Sequence, residues 1–422
     1  MSQTTQQIIG MREVTWQEYE EFLRQRGEVV IEDVRIPLTG RKQVAALQPA
    51  EFEMEQTTVW SFPDRGTWAT HQGNYRGNWA PQIPRNLILR YTQPGEWVLD
   101  PMVGSGTTLV ECKLLGRNGI GVDINYEALM LTFDRLNFEP RNLYETLPPT
   151  EIRLYHGDAR NLDKIPDESI DLIATHPPYA NIIAYSKGET VNGDLSRMRS
   201  LTEYLDAMTE VAKECYRVLK PGRHCAILVG DTRRHKHYVP IAFRVMERFL
   251  QVGFILREDV IKVQWKMKST RERWQRQPNR DFLLIYHEHL FIFRKPEQNE
   301  DVRKFQGSMG PEQSIRIHRL PPHQARFPQL WSPQTTPPQT RPFLWDNQES
   351  LPLLGQIQQP LSLFLNLVAT KLQACRLRQG FGWAYSRPLP LETCACQSPP
   401  RVIITQCYAF VKAAGDVIYG SG

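Results

Sequence analysis

Two short runs hold residue types that could do chemistry together. His176-Pro177-Pro178-Tyr179 ends the apolar stretch IDLIAT, and Asp100-Pro101-Met102-Val103-Gly104-Ser105-Gly106-Thr107-Thr108 begins on the last residue of the strand-like WVLD. Proline has no N–H and a fixed φ, so the Pro177 carbonyl is left available as an acceptor. A neutral His176 offers a second acceptor, and Tyr179 offers an aromatic face on which a planar ring can stack. Two acceptors and a stacking face suit an exocyclic amine on a heterocycle. Hydrogen bonds from that amine draw its nitrogen toward sp³ geometry and localise the lone pair for attack on a methyl group. An unperturbed imidazole titrates within about pH 5 to 8, so activity is expected to fall over that range as His176 protonates.

The glycine run points to the other reactant. Gly104 and Gly106 flank Ser105, permit a tight turn and bring backbone amides close to a ligand, and Thr107 and Thr108 open the following helix. A glycine pair after a strand is shared by many nucleotide folds, but there is no third glycine at dinucleotide spacing and no P-loop lysine. Asp123 follows at the end of GIGVD, about 20 residues on, where an acid can take ribose hydroxyls. Asp158, in YHGDARNL, ends the next strand and can accept from an adenine amino group. A glycine turn and two successive acids suit adenosine without phosphates, and so S-adenosyl-L-methionine. Asp100 and Pro101 are then expected beside its methionine part.

These residues need a frame. From position 97 the chain alternates strands and amphipathic helices: WVLD, TTLVECKLLG, GIGVDI, YEALMLTFDRLN, IRLYHGD, IDLIATH, a long helix from Leu201 stopped by Pro221-Gly222, HCAILVGD, IAFRVMERFLQVG and FLLIYHEHLFIFRK. That order predicts an α/β protein with a doubly wound, mostly parallel sheet and a late antiparallel member. Three domains are expected: an N-terminal extension over 1–55, a catalytic domain over 56–296, and a Pro/Gln-rich linker with a C-terminal extension over 297–422. The extension carries one candidate helix, LSLFLNLVATKLQACRLR.

Composition narrows the class further. The 422 residues are 41% hydrophobic and 23% charged, which is ordinary for a globular chain. No apolar run is long enough to span a bilayer, no secretory signal is visible, and the seven scattered cysteines form no CxxC pair, which together predict a cytoplasmic protein. His287 and His289 share a strand face, but no third ligand stands at useful spacing, so no metal site is assigned. Net charge is +5. Residues 262–280 concentrate it, with Lys262, Lys266, Lys268, Arg271, Arg273, Arg276 and Arg280 against the acid Glu272. Trp265 and Trp274 interleave, so the segment is expected to bind nucleic acid through phosphates and base stacking, with RRHKH at 233–237 lining the same cleft. The polar run 186–200 after the catalytic loop reads as a segment that orders over a flipped base, or as an ordinary connection.

DPMVGSGTT and THPPY together resemble the amino-methyltransferases of DNA, which methylate cytosine N4 or adenine N6. That family carries an Asp-Pro-x-x-Gly-x-Gly-Thr-Thr turn and an Asp/Asn/Ser-Pro-Pro-Tyr/Phe loop. The resemblance covers about 57–296, and includes WSFPDRGTWATHQGNYRGNWAPQIPRNLI, where some members place a cofactor-flanking segment. It implies a class I, Rossmann-like methyltransferase fold, S-adenosyl-L-methionine as cofactor, double-stranded DNA as substrate, and a cognate restriction nuclease as a functional counterpart. Three features depart from the pattern, one being that no large separate target-recognition domain is visible. His176 stands where the family has Asp, Asn or Ser, and the glycine turn precedes the catalytic loop, where many members are permuted. A non-acidic residue before the prolines favours cytosine N4 over adenine N6. A tRNA guanine-N2 methyltransferase and a non-catalytic nucleic-acid-binding protein stand as alternatives.

Overall fold

The computed structural model describes residues 9–31, 33–75, 77–142, 144–178, 195, 200–265, 281–311 and 313. Among them nine strands form one sheet: β1 (Arg12–Val14), β2 (Val59–Ser61), β3 (Trp97–Asp100), β4 (Asn118–Asp123), β5 (Ile152–His156), β6 (Ile170–Thr175), β7 (Leu219–Gly230), β8 (Ile255–Val263) and β9 (His287–Arg294). Their spatial order is β1-β5-β4-β3-β6-β7-β9-β8-β2. The central run β5-β4-β3-β6-β7 is parallel, and β9 is antiparallel to both β7 and β8. The fold is thus the expected doubly wound, mostly parallel α/β sheet, with its late antiparallel strand.

Alternation along the central strands builds two cores. Val98, Leu172, Ala226 and Leu228 face one side, and there they join Leu87 of α2 (Gln82–Tyr91), with α1 (Trp16–Gln25) also on this face, Leu109 of α3 (Thr107–Leu115) and Leu129 of α4 (Tyr126–Leu136). Their sequence neighbours Leu99, Ile173, Ile227 and Val229 face the other, against Tyr204 and Val211 of α5 (Leu201–Val218) and Phe249 of α6 (Ile241–Val252). Successive strand residues point to opposite faces, so a sheet buried on both sides needs near-continuous apolar runs. The chain leaves β3 in one direction and returns to β6 on its other side. Ligands of such sheets bind at the carboxyl ends beside that switch point, where Asp100 and Thr175-His176 stand.

Four sequence expectations are corrected. The long helix ends at Val218, and Pro221-Gly222 lies inside β7. Leu219 already pairs with Ile170, and the register shift before the next pair, Leu172 with His224, absorbs the proline in a bulge where its missing N–H breaks no ladder bond. The expected strand 282–295 is confined to His287–Arg294, while β8 was not foreseen because ILREDVIKV mixes charges into its pattern. The segment 1–55 is no separate extension over its described part. β1 pairs with β5, a Thr15–Glu18 capping box starts α1, and the Tyr19 hydroxyl donates to Asp134 of α4 at 2.9 Å. The catalytic domain also continues past 296: a 3-10 helix, Val302–Ser308, buries Val302 against Ile255. The candidate helix after residue 360 lies outside the described residues.

Candidate active site

The glycine turn closes as its sequence requires. Gly104 and Gly106 have φ of 53° and 80°, the left-handed region in which a side chain is strained. A Cβ on Gly106 would stand 2.7 Å from Thr132 Cγ2, and one on Gly104 would stand 3.1 Å from the Tyr75 ring. Asp123, at the end of β4, accepts from Gly104 N and Asn125 N, both at 2.8 Å. The acid expected to take ribose hydroxyls therefore also fixes the turn, and a carboxylate has lone pairs for both tasks.

Asp100, expected beside the methionine part of the cofactor, lies beneath this turn. It is 2% exposed. Its Oδ2 accepts from Thr108 Oγ1 at 2.6 Å, and its Oδ1 accepts from Thr175 Oγ1 at 2.7 Å and from Met102 N at 3.3 Å. One carboxylate thus ties β3, α3 and β6 together, and Thr108, fully buried, belongs to that fastening. Burial raises the Asp100 pKa to about 6, against the pull of its hydroxyl and amide donors. Ser105 and Thr107 are likewise buried, with Ser105 accepting from Arg135 Nη1 at 3.3 Å and Thr107 donating to Asn78 Oδ1. Pro101 is buried as well. Asp158 is 3% exposed and holds Arg160 through both oxygens.

The aromatic segment before β3 covers the turn. Glu111, an acid in the middle of α3, accepts from Trp68 Nε1 at 2.7 Å and from Arg85 Nη1 at 2.8 Å, with His71 Nε2 at 2.7 Å. Those partners anchor the segment, which lays Tyr75 against Gly104 and Asn78 on Thr107. It ends with Trp79 stacked on His176, with ring centroids 6.0 Å apart and planes 26° from parallel.

The catalytic run continues β6. Pro177 is buried and Pro178 half-buried, while Tyr179 lies outside the described residues. His176 Nε2 is 3.9 Å from Glu288 Oε1, and Lys262 Nζ is 2.8 Å from Glu288 Oε2. Burial lowers the His176 pKa to about 4, with Glu288 pulling it up and Lys262 down. The ring is therefore neutral throughout pH 5 to 8, which corrects the expectation of a titration there.

The basic segment divides. Lys262, expected on phosphate, is half-buried in β8, where its ammonium lies 2.8 Å from Glu288 Oε2. Trp265 is 49% exposed and donates to Ser61 Oγ at 3.1 Å. Lys266, Lys268, Arg271, Arg273, Trp274 and Arg276 lie outside the described residues. Sequence reading missed Trp79, Glu111 and Glu288. The two acids had a signal, since each interrupts an otherwise apolar element, TTLVECKLL and HEHLFIF. Trp79 had none beyond the aromatic richness of its segment.

Comparisons with known proteins fit this geometry. A model of a methyltransferase domain described as RMKL-like matches residues 87–231. Type II methyltransferase M.BglII from Bacillus subtilis is 32% identical over 29% of this chain and 32% of its own length. Type II methyltransferase M.HpaI from Haemophilus parainfluenzae is 49% identical over 26% of this chain and 33% of its own. The tRNA (guanine(10)-N2)-dimethyltransferase of Methanothermobacter thermautotrophicus is 33% identical over 27% and 31%. These matches span about a third of each relative's length. The model of the DNA methylase family, whose methyl donor is S-adenosyl-L-methionine, matches residues 17–134 and 170–363, taking in the glycine turn, the His-Pro-Pro run and the strands that carry them. On that extent of match the chain belongs to the DNA methylase family.

Proposed function

We propose that the protein methylates the exocyclic amino group of a base flipped out of double-stranded DNA, preferring cytosine N4 to adenine N6, as the counterpart of a restriction nuclease. One observation carries this reading: the Thr108 and Thr175 hydroxyls meet on the two oxygens of Asp100. That contact sets the ligand turn and the His-Pro-Pro run at adjacent strand ends, as a transfer between two bound molecules requires. S-adenosyl-L-methionine supplies an electrophilic methyl group when bound. The left-handed turn at Gly104 and Gly106, at the carboxyl end of β3, and the Asp123 carboxylate at the end of β4 fit it.

The remaining chemistry falls to the chain. The Pro177 carbonyl and a neutral His176 accept from the amine, and Trp79 holds the His176 ring in orientation. The residue before the prolines carries no acid, which supports the cytosine preference. Pro177 and Pro178 keep the backbone from rearranging under the substrate. As the new N–C bond would form and the donor's S–C bond break, leaving the neutral thioether S-adenosyl-L-homocysteine, the amine proton would pass toward His176 or water.

The test is direct. Labelled S-adenosyl-L-methionine is incubated with the protein and either duplex DNA or total tRNA, and the methylated nucleoside is identified after digestion. Label in N4-methylcytosine is expected. Label in N6-methyladenine would overturn the base preference, and label confined to tRNA would overturn the reading itself in favour of the tRNA enzyme.

A further inference from the structure

β7 runs on past the catalytic loop. Its Ile227 pairs with Thr175, the last residue of β6, and the strand continues to Gly230. At about 3.3 Å per residue that is roughly 10 Å further. There the chain folds into a two-stranded ribbon, with Thr232 paired to Val239, Arg233 to Tyr238 and Arg234 to His237. Its turn is made by His235 and Lys236, both left-handed, with φ of 49° and 69°. Two-residue turns of this type favour Asn-Gly, whose side chains tolerate that conformation. Lysine lacks the short polar side chain that eases this conformation, and the turn carbonyls are held instead by Arg233 Nη1, which donates to Lys236 O at 3.0 Å, and by His237 Nδ1 at 2.8 Å from His235 O.

The ribbon is fastened at its base and open at its tip. Asp231 accepts from Ala242 N at 2.8 Å and from the Tyr238 hydroxyl. Arg233 Nε donates to the Leu283 carbonyl at 3.0 Å, and its guanidinium lies 5.2 Å from the Phe282 ring centre. Arg234, His235, Lys236 and His237 are exposed. Lys236 meets Asp281 at 3.1 Å in an ion pair open to water, which contributes little. The two left-handed turn residues are held by polar contacts of the ribbon itself and by the Lys236–Asp281 pair, with no packed core behind them. What the turn provides is Arg234 and Lys236 on a fastened stalk beside the catalytic loop.

We propose that this ribbon is a DNA-contacting probe, with Arg234 and Lys236 on phosphates of the duplex flanking the flipped base. A two-stranded ribbon matches the width of the B-DNA major groove, and a regular array of phosphates is the anionic partner that two cations on a stalk suit. The proposal rests on the DNA-methylation reading above.

Turn chemistry makes it testable without unfolding the site. In the full chain, His235→Asn with Lys236→Gly gives the ribbon a better turn and removes its tip cation. That variant is expected to melt no lower than the parent and to bind S-adenosyl-L-methionine equally. Its duplex affinity should fall at least about threefold at 0.1 M salt, and the slope of log K against log salt should become shallower by about 0.9. Adding Arg234→Gln should take the change in slope to about 1.8. Unchanged affinity and slope in both variants would overturn the probe while leaving methylation intact. If the parent itself bound duplex DNA without salt dependence, the reading of a DNA substrate would fail first. That result is separable, because it needs no variant.

Discussion

His176 Nε2, just past the end of β6, and Glu288 Oε1 on β9 stand 3.9 Å apart across β7, and Lys262 on β8 holds the other oxygen of the same carboxylate. The β7 residue opposite Glu288 is Gly230, which has no side chain. A ring that is Asp, Asn or Ser in the family pattern thus meets a carboxylate and an ammonium from two other strands.

The first prediction concerns activity and pH. With its pKa lowered to about 4 by burial, His176 stays an acceptor from neutrality down to pH 5. Its contribution to kcat/KM should be flat over that range and decline as pH approaches 4. Glu288→Gln removes the charge that raises this pKa, so the acid limb should move lower. A limb near pH 6.5 that disappears in His176→Asn would contradict the buried, neutral ring.

Stability should also depend on acid. Burial lowers the pKa of His71, His176 and His224, the last two to about 4. Their unfolded forms titrate near 6.5, so between about pH 6.5 and 4 the unfolded chain binds more protons and stability falls as pH falls. Asp100, raised to about 6, acts in the opposite sense over part of that window. Glu55, also raised by burial, acts with Asp100, while the lowered carboxyls of Glu18, Glu214 and Glu300 act with the histidines, which leaves a net loss. Urea unfolding at pH 7 and pH 4.5 should show the lower midpoint at pH 4.5, and equal midpoints would refute the balance.

Glu111 should be costly to remove. It is fully buried and satisfies Trp68, His71 and Arg85. Glu111→Ala leaves Arg85 charged and uncompensated, a loss of about 3 to 5 kcal/mol. Glu111→Gln keeps an acceptor and should lose less. Denaturant midpoints with an unchanged slope would measure both.

Gly106→Ala tests the turn. The added Cβ meets Thr132 at 2.7 Å at a φ of 80°. Strain of about 1 to 3 kcal/mol is expected, along with weaker binding of S-adenosyl-L-methionine by calorimetry. A Gly104→Ala variant meets the softer edge of Tyr75 and should be milder in stability. Equal cofactor affinity in Gly106→Ala and the parent would separate the turn from the ligand.

Much of the frame was legible because it rests on local rules. Continuous apolar runs bounded by glycine and capping residues gave β3, β4, β6, α3 and α4 close to their observed ends, and the switch point followed from their order. β8 and β2 were not legible. β8 owes its strand to eight residue pairs with β9, contacts remote in sequence, and β2 in turn depends on β8. The N-terminal 55 residues looked like an appendage because polar composition hides the few apolar residues, such as Val14 and Tyr19, that join the core.

The sequence by itself determined which residues could bind a cofactor and present an amine, since glycine, proline and histidine impose their backbone and donor patterns wherever they stand. Only the tertiary structure decided what each of them contacts within the fold. It put Asp100 and Thr108 beneath the turn, engaged Asp158 with Arg160, and turned Lys262 inward to Glu288. It also set Trp79 and Glu288 around His176. Those assignments depend on side-chain direction and on burial by strands distant in the chain, and burial is what lowers the pKa of His176 and raises that of Asp100.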